Sequence, residues 1–343
     1  MRRLAKQESL KWQARLKRAS FSARSHSLNL TPNPTAHHRQ PTLDGHEVPV
    51  ILDLAHPDTA ARVGWEAVEY EGDCVGGLGE HELVLGRRRP QKSLLPIRSF
   101  VYSRQDLYSG RVLARAEYGD WAFRVGTAGA SVWICHWNVH TGLMKLDDEL
   151  GIAEHFPMIR EANGPPPELV PLSDFAAALA VYRKDHMKRL HIYFAKTEYK
   201  IPIQPTLYIL AGRETAQGAK HGFLFLAFDS YNRTVSTFAV LEGRMTPNLS
   251  SIPQPVGALR KLCGTFISPS QGGGVLLVWQ SESLFATEEV HIQQYSDSLA
   301  AKGPKLKLDL SEERSLADVA VIGRRLCIAS TPKEKMRKAC ALM

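Results

Sequence analysis

Between residues 47 and 331 the apolar residues fall in short runs broken by turn residues, the pattern of successive β-strands. Three stretches share one layout: S-V-W-I-C-H-W-N-V-H-T-G-L-M from Ser131, G-F-L-F-L-A-F-D-S-Y-N-R-T-V-S-T-F-A-V from Gly222, and G-V-L-L-V-W-Q-S-E-S-L-F-A-T-E-E-V-H-I from Gly274. In each, an apolar run of the buried kind ends on an aromatic residue, Trp137, Phe228 or Trp279. A polar residue (Asn138, Asp229 or Gln280) and a short turn follow, and the chain then resumes an extended pattern. This layout predicts a hairpin with an inner and an outer strand. R-L-H-I-Y-F-A-K-T-E-Y-K supplies a fourth example, with Phe194 in the aromatic place. H-E-L-V-L-G from His81, R-S-F-V-Y-S from Arg98 and D-W-A-F-R-V-G from Asp120 predict further strands, and A-D-V-A-V-I-G-R-R-L-C-I-A-S from Ala317 predicts a hairpin around Gly323.

One region departs from this pattern. Asp147 to Arg160 and Leu172 to Lys188 are helix-friendly and flank the break N-G-P-P-P at residues 163–167. S-D-F-A-A-A-L-A-V-Y, with Ser173 or Asp174 as its cap, predicts a helix. Asp147, Asp148 and Glu149 fit the start of another. A short helical insertion over about 147–188 is therefore expected within the β-rich region.

The four aromatic positions, 137, 194, 228 and 279, recur at a mean spacing of about 47 residues, with individual gaps from 34 to 57. A loose period of about 40–50 residues with several strands per unit is the signature of a β-propeller. Residues 47–331 have room for six or seven blades of that size. The run V-W-I-C-H-W-N-V-H-T-G resembles the strand, tryptophan, polar residue and turn of a WD blade, and the chain resembles the WD-repeat and kelch-like propeller families over about four of those blades. The resemblance implies a mainly-β propeller of about six or seven blades. The alternative architecture is two packed β-sandwich-like domains, in which strands also alternate with turns.

The net charge of +8 sharpens the domain picture. Residues 1–43 hold nine Lys/Arg and one acid, and the remaining residues balance to zero. Residues 1–46 therefore read as a basic tail of the kind that does not pack, rich in Ser, Thr, Asn, Pro and His. Its basic patch is Arg2, Arg3, Lys6, Lys11, Arg15, Lys17 and Arg18. That composition fits an organellar targeting segment, a nuclear or nucleic-acid patch, a helix seeking anionic lipid, or a solvated tail without a dedicated partner. Any nucleic-acid contact is expected only through residues 1–43, because the body carries no basic excess.

The body offers little chemistry that sequence can recognise. It has no phosphate-binding loop of the G-x-x-x-x-G-K-[ST] type and no G-x-S-x-G elbow, and G-G-L-G at 76–79 does not complete a dinucleotide fingerprint. Cys135, His136 and His140 form C-H-x-x-x-H, but adjacent strand residues point to opposite faces, so this is not a metal set. Five widely spaced cysteines with no C-x-x-C pair read as reduced thiols. No catalytic residue, metal, cofactor or small-molecule substrate is expected, with a propeller enzyme of unrecognised site as the alternative.

The sharpest signal is at the end. Cys340-Ala341-Leu342-Met343 matches the prenylation box, and Met in the last place favours farnesyl. One lipid anchors only marginally, so a second signal is needed, and Lys333, Lys335, Arg337 and Lys338 supply it. The expected organisation is a tail over 1–46, a β-rich domain over 47–331 and a polybasic tail with its box over 332–343. The expected function is a non-catalytic protein-binding module of eukaryotic type, held at the anionic cytoplasmic face of a membrane by farnesyl on Cys340. The rival is an organellar or nucleic-acid-associated β protein, mitochondrial or nuclear, targeted by its basic N-terminus.

Overall fold

A computed structural model of the chain describes residues 50–55, 62–88, 100–118, 122–137, 141–157, 159, 167–183, 187–194, 196–217, 220–246, 250–253, 259–268, 273–281, 289–308, 310, 314–323 and 325–332. The chain enters on β1 (Val50–Ala55) and β2 (Arg62–Glu71). Five antiparallel meanders follow. Blade I is β3 (Cys74–Leu78), β4 (Glu82–Arg88), β5 (Phe100–Asp106) and β6 (Val112–Tyr118). Blade II is β7 (Ala122–Ala128), β8 (Ser131–Trp137), β9 (Thr141–Leu146) and β10 (Ile152–His155). Blade III is β11 (Glu168–Ser173), β12 (Ala176–Tyr182), β13 (Lys188–Phe194) and β14 (Thr197–Ile203). Blade IV is β15 (Leu207–Gln217), β16 (Lys220–Asp229) and β17 (Thr234–Leu241), edged by β18 (Arg244–Met245) and β19 (Ser250–Pro253). Blade V is β20 (Leu259–Phe266), β21 (Val275–Ser281), β22 (Val290–Tyr295) and β23 (Ala301–Leu308). Blade VI joins β24 (Arg314–Ile322) and β25 (Arg325–Pro332) to the N-terminal hairpin, in the order β24-β25-β2-β1.

The first strands β3, β7, β11, β15, β20 and β24 each pack on the next, and β24 packs on β3. They close a ring around a central channel, which makes the fold a six-bladed propeller. The rim at which these inner strands begin is called upper here, and the opposite rim lower.

The continuous apolar runs have a simple cause. Each blade lies between two others, so its middle strands are buried on both faces, and successive residues serve different cores. In β21, Val275, Leu277 and Trp279 pack between blades IV and V, while Leu276 and Val278 pack between V and VI. The same division holds throughout: the six core clusters among the described residues each fill the space between one pair of adjoining blades. At the hub the wedge narrows, and glycine meets the crowding. A Cβ at Gly76 would strike Thr127, at Gly126 Pro171, at Gly212 Leu172 and at Gly264 Leu226.

Two expectations are corrected. No helix occurs among the described residues of 147–188. The alanine-rich stretch is β12, in which Ala176, Ala178 and Ala180 face the core shared with blade IV, and Ala177, Leu179 and Val181 the core shared with blade II. Burial on two faces overrides the helix propensity of alanine, which is worth only tenths of a kcal/mol per residue. Asp174 caps nothing; it sits in the β11–β12 turn and accepts hydrogen bonds from Ala130 N (2.7 Å) and Ser131 Oγ (2.9 Å) of blade II. Asp147 likewise makes the β9–β10 turn, its Oδ1 accepting from Glu149 N (3.0 Å) and Gly151 N (2.7 Å). The second correction concerns Phe194, which ends the third strand of its blade, whereas Trp137, Phe228 and Trp279 lie on second strands. The equivalent of those three in blade III is Tyr182, at the end of β12.

Blade VI closes the ring with strands from both ends of the described chain. β2 runs parallel to β25, with Val68 opposite Cys327 and Tyr70 opposite Ala329. Arg314 Nη2 donates to Glu71 Oε2 (3.0 Å), and Gly72 N donates to Ser330 O (3.0 Å).

Candidate functional site

The upper part of the channel is a cavity of about 910 Å³ to which all six inner strands contribute. Its charged lining is Asp73, Arg124, Glu168, Arg260, Lys261 and Asp318, with Tyr208, Phe228 and Leu259 among the apolar and aromatic walls. Strand ends place these side chains, since Asp73, Glu168, Tyr208 and Leu259 all stand where an inner strand begins.

On one side of the mouth the charges are paired. Lys188, at the start of β13, is completely buried. Its Nζ donates to Glu168 Oε1 (2.6 Å) and to Leu207 O (2.6 Å), and lies 4.8 Å from the Tyr182 ring centroid and 4.7 Å from that of Tyr208. Glu168 Oε2 accepts from Ile209 N (2.8 Å), and the Tyr182 hydroxyl donates to Pro205 O. A single lysine thus ties β11 of blade III to β15 of blade IV. Burial lowers the Lys188 pKa, and the Glu168 carboxylate opposes that shift.

The other side is open. Asp318 accepts from Val75 N (3.2 Å) and Val319 N (2.9 Å), which ties blade VI to blade I. Burial raises its pKa, while the positive charges of Lys261 and Arg124 hold it down. Neither the Arg124 guanidinium nor the Lys261 ammonium makes a hydrogen bond or ion pair among the described residues. Cys74, Cys135 and Cys263 also line the cavity. Desolvation pushes the thiols of Cys135 and Cys263 up to about 12 and raises that of Cys74 as well, so all three are protonated and poor nucleophiles at neutral pH.

Among the described residues, three large side chains stand exposed on the upper rim of blades III and IV. Met187 (46% exposed) lies beside the β12–β13 turn of blade III, Tyr208 (42%) is the second residue of β15, and Tyr231 (82%) tips the β16–β17 turn of blade IV. Ser230 N donates to Thr206 O (3.0 Å), which holds the Tyr231 turn against the segment leading into β15. Asp229 rigidifies the same turn by accepting from Tyr231 N (2.9 Å) and Asn232 Nδ2 (2.6 Å).

Most of the residues singled out by sequence fall outside the described residues. Residues 1–49 and 333–343 are outside the described residues, and with them the basic patch from Arg2 to Arg18, the lysines and arginine from Lys333 to Lys338, and Cys340 to Met343. Cys135 and His136 are both buried on β8, while His140 lies outside the described residues. No group of His, Cys, Asp and Glu able to hold a metal occurs among the described residues. Of the channel lining, sequence reasoning named Phe228 as a blade aromatic and Cys135 in C-H-x-x-x-H, and it missed every charged group. For the rim, a signal was available in D-S-Y-N at 229–232, a large aromatic placed at the tip of a turn.

No family model matches the chain, and no curated protein matches it. Among solved structures it is similar to a triple arginine-to-alanine mutant of AofleA from Arthrobotrys oligospora, at 10% identity over 72% of this chain and 73% of that one, with a TM-score of 0.48. It is also similar to the Nup133 β-propeller domain of Vanderwaltozyma polyspora, at 9% identity over 86% and 92%, with a TM-score of 0.34. A third is BBS1N in complex with ARL6DN, at 12% identity over 68% and 74%, with a TM-score of 0.30.

Proposed function

We propose that this chain is a non-catalytic protein-binding module that receives its partner on the upper rim of blades III and IV. The observation that carries the reading is the exposure of Met187, Tyr208 and Tyr231 on the upper rim of the adjoining blades III and IV, with the Tyr231 turn held by hydrogen bonds. Rigid aromatic and methionine side chains supply contact area at low entropic cost, and these residue types are enriched in interfaces. The test compares proteins cross-linked to the wild-type chain in cells with those cross-linked to a Tyr231→Ala, Met187→Ala chain. Both side chains are exposed, so the melting temperature is expected to hold while the specific partner weakens by about 2 kcal/mol, roughly 30-fold, as for hot-spot truncation. An unchanged partner set would overturn the reading.

The proposal includes a membrane tether, supported by the sequence of Cys340 to Met343 and by the four basic residues before it, each worth about 1 kcal/mol near an anionic leaflet. Metabolic labelling with a tagged isoprenoid is expected to mark the wild-type chain and not Cys340→Ser. An unlabelled wild type would remove the tether and leave the rim proposal standing.

A further inference from the structure

We propose that the upper channel is a binding site for a small anionic molecule, whose carboxylate or phosphate group is taken by Arg124 and Lys261. The site borders the rim patch at Tyr208, but the two cations proposed to take the anion are not part of that patch.

The channel's geometry and charge lead there. A cavity of about 910 Å³ lies within the range of small-molecule sites and offers both apolar wall and a few charged groups. Most of its charges are already committed. Glu168 is taken up by Lys188 and by Ile209 N. Asp318 receives two backbone N–H groups, one on each oxygen. Arg260 and Asp73 have interactions of their own. Arg124 and Lys261 remain. They stand on β7 and β20, which are opposite one another in the ring of six inner strands, and both line the same cavity. Asp318 shares their field and offsets part of the two positive charges, and the low-dielectric walls of the channel focus the remaining positive potential into it. A bound anion balances what Asp318 leaves, and arginine's planar fork gives a carboxylate or phosphate two parallel hydrogen bonds. Phe228, Leu210 and Leu259 would pack against the rest of the ligand.

The experiment uses the full chain with sodium phosphate and sodium citrate as probes. Ionic strength is held constant with sodium chloride, so that general screening is matched. Titration calorimetry on wild type is expected to show saturable one-to-one binding of at least one probe. The Arg124→Gln, Lys261→Gln chain should bind that probe about tenfold or more weakly, because two charge-assisted contacts are lost. The binding probe should also protect Arg124 of the wild-type chain from phenylglyoxal, read by peptide mass spectrometry. The protection assay decides the matter by itself if the double variant fails to fold. No saturable binding of either probe to wild type overturns the proposal. So does undiminished binding to a folded double variant, or modification of Arg124 at the same rate with and without the probe.

Discussion

Glu168→Ala is expected to cost about 3–5 kcal/mol of folding stability, the range for breaking a buried ion pair from one side. Lys188 has no solvent access, and the substitution would leave its ammonium with only Leu207 O and two tyrosine rings. The loss has a ceiling, because a stranded lysine can give up its proton instead of its place in the fold. From an unfolded value of about 10.4, deprotonation at pH 7 costs about 1.36 kcal/mol per unit, near 5 kcal/mol in all. The sign of the pH dependence follows. Burial already lowers the Lys188 pKa, and loss of Glu168 removes what opposes that shift. The native variant then binds fewer protons than its unfolded chain, so its stability rises with pH from the lowered native value up to the unfolded value. Urea denaturation at pH 7 and pH 9.5 should show the gap to wild type shrinking at the higher pH. Lys188→Met is expected to be milder, since Glu168 keeps Ile209 N and some access to the channel. Glu168→Gln with Lys188→Met should regain most of the loss, because no charge is left unpaired. A cost below about 1 kcal/mol for Glu168→Ala would show that the pair behaves like an exposed one.

The pair also shows what sequence could and could not disclose. Strands and hairpins were readable, because a propeller's middle strands are buried on both faces and therefore form unbroken apolar runs, as in Val275–Trp279. The repeat was readable for the same reason, but its period was blurred by one misplaced marker. With Phe194 the aromatics sit at 137, 194, 228 and 279; with Tyr182 they sit at 137, 182, 228 and 279, at separations of 45, 46 and 51. Tyr182 was hidden inside a stretch of alanines, where local propensity and tertiary burial pull in opposite directions. The inner-strand glycines carried a second signal, which acquires meaning only once adjoining blades are seen to crowd them. The channel was not legible at all. Arg124 and Lys261 are separated by more than a hundred residues, and only closure of the ring brings β7 and β20 to face one cavity. Lys188 looked like any polar residue at the start of a strand, and its burial depends on Glu168 and Tyr208 arriving from other strands.

Deleting residues 1–73 is expected to abolish cooperative unfolding altogether, a larger effect than any point substitution. The deletion removes β1 and β2 and leaves blade VI as the hairpin β24–β25. A two-stranded hairpin is marginal by itself, and the exposed edge of β25 would offer an unpaired ladder to other chains. Val68 and Tyr70 are buried to 2% and 3% exposure between blades VI and I, and side chains of this size contribute about 1.5–3 kcal/mol each. The deletion also leaves Arg314 without Glu71 and removes the Gly72 N–H bound to Ser330 O. Together these losses rival the whole net stability of a domain, about 5–15 kcal/mol. A circular permutant tests whether the β2–β25 contact works without its native place in the chain. Opening the chain between blades I and II, and joining the old ends by a flexible linker, keeps β2 beside β25 and should restore a single sharp thermal transition. A deleted chain that still melted cooperatively within a few degrees of full length would show that blades I to V support one another without a closed ring. A permutant that failed to melt cooperatively would show that the order of the chain is required, and not ring closure alone. The expected pair of results, loss on deletion and recovery on permutation, assigns the stability of all six blades to the parallel contact between β2 and β25.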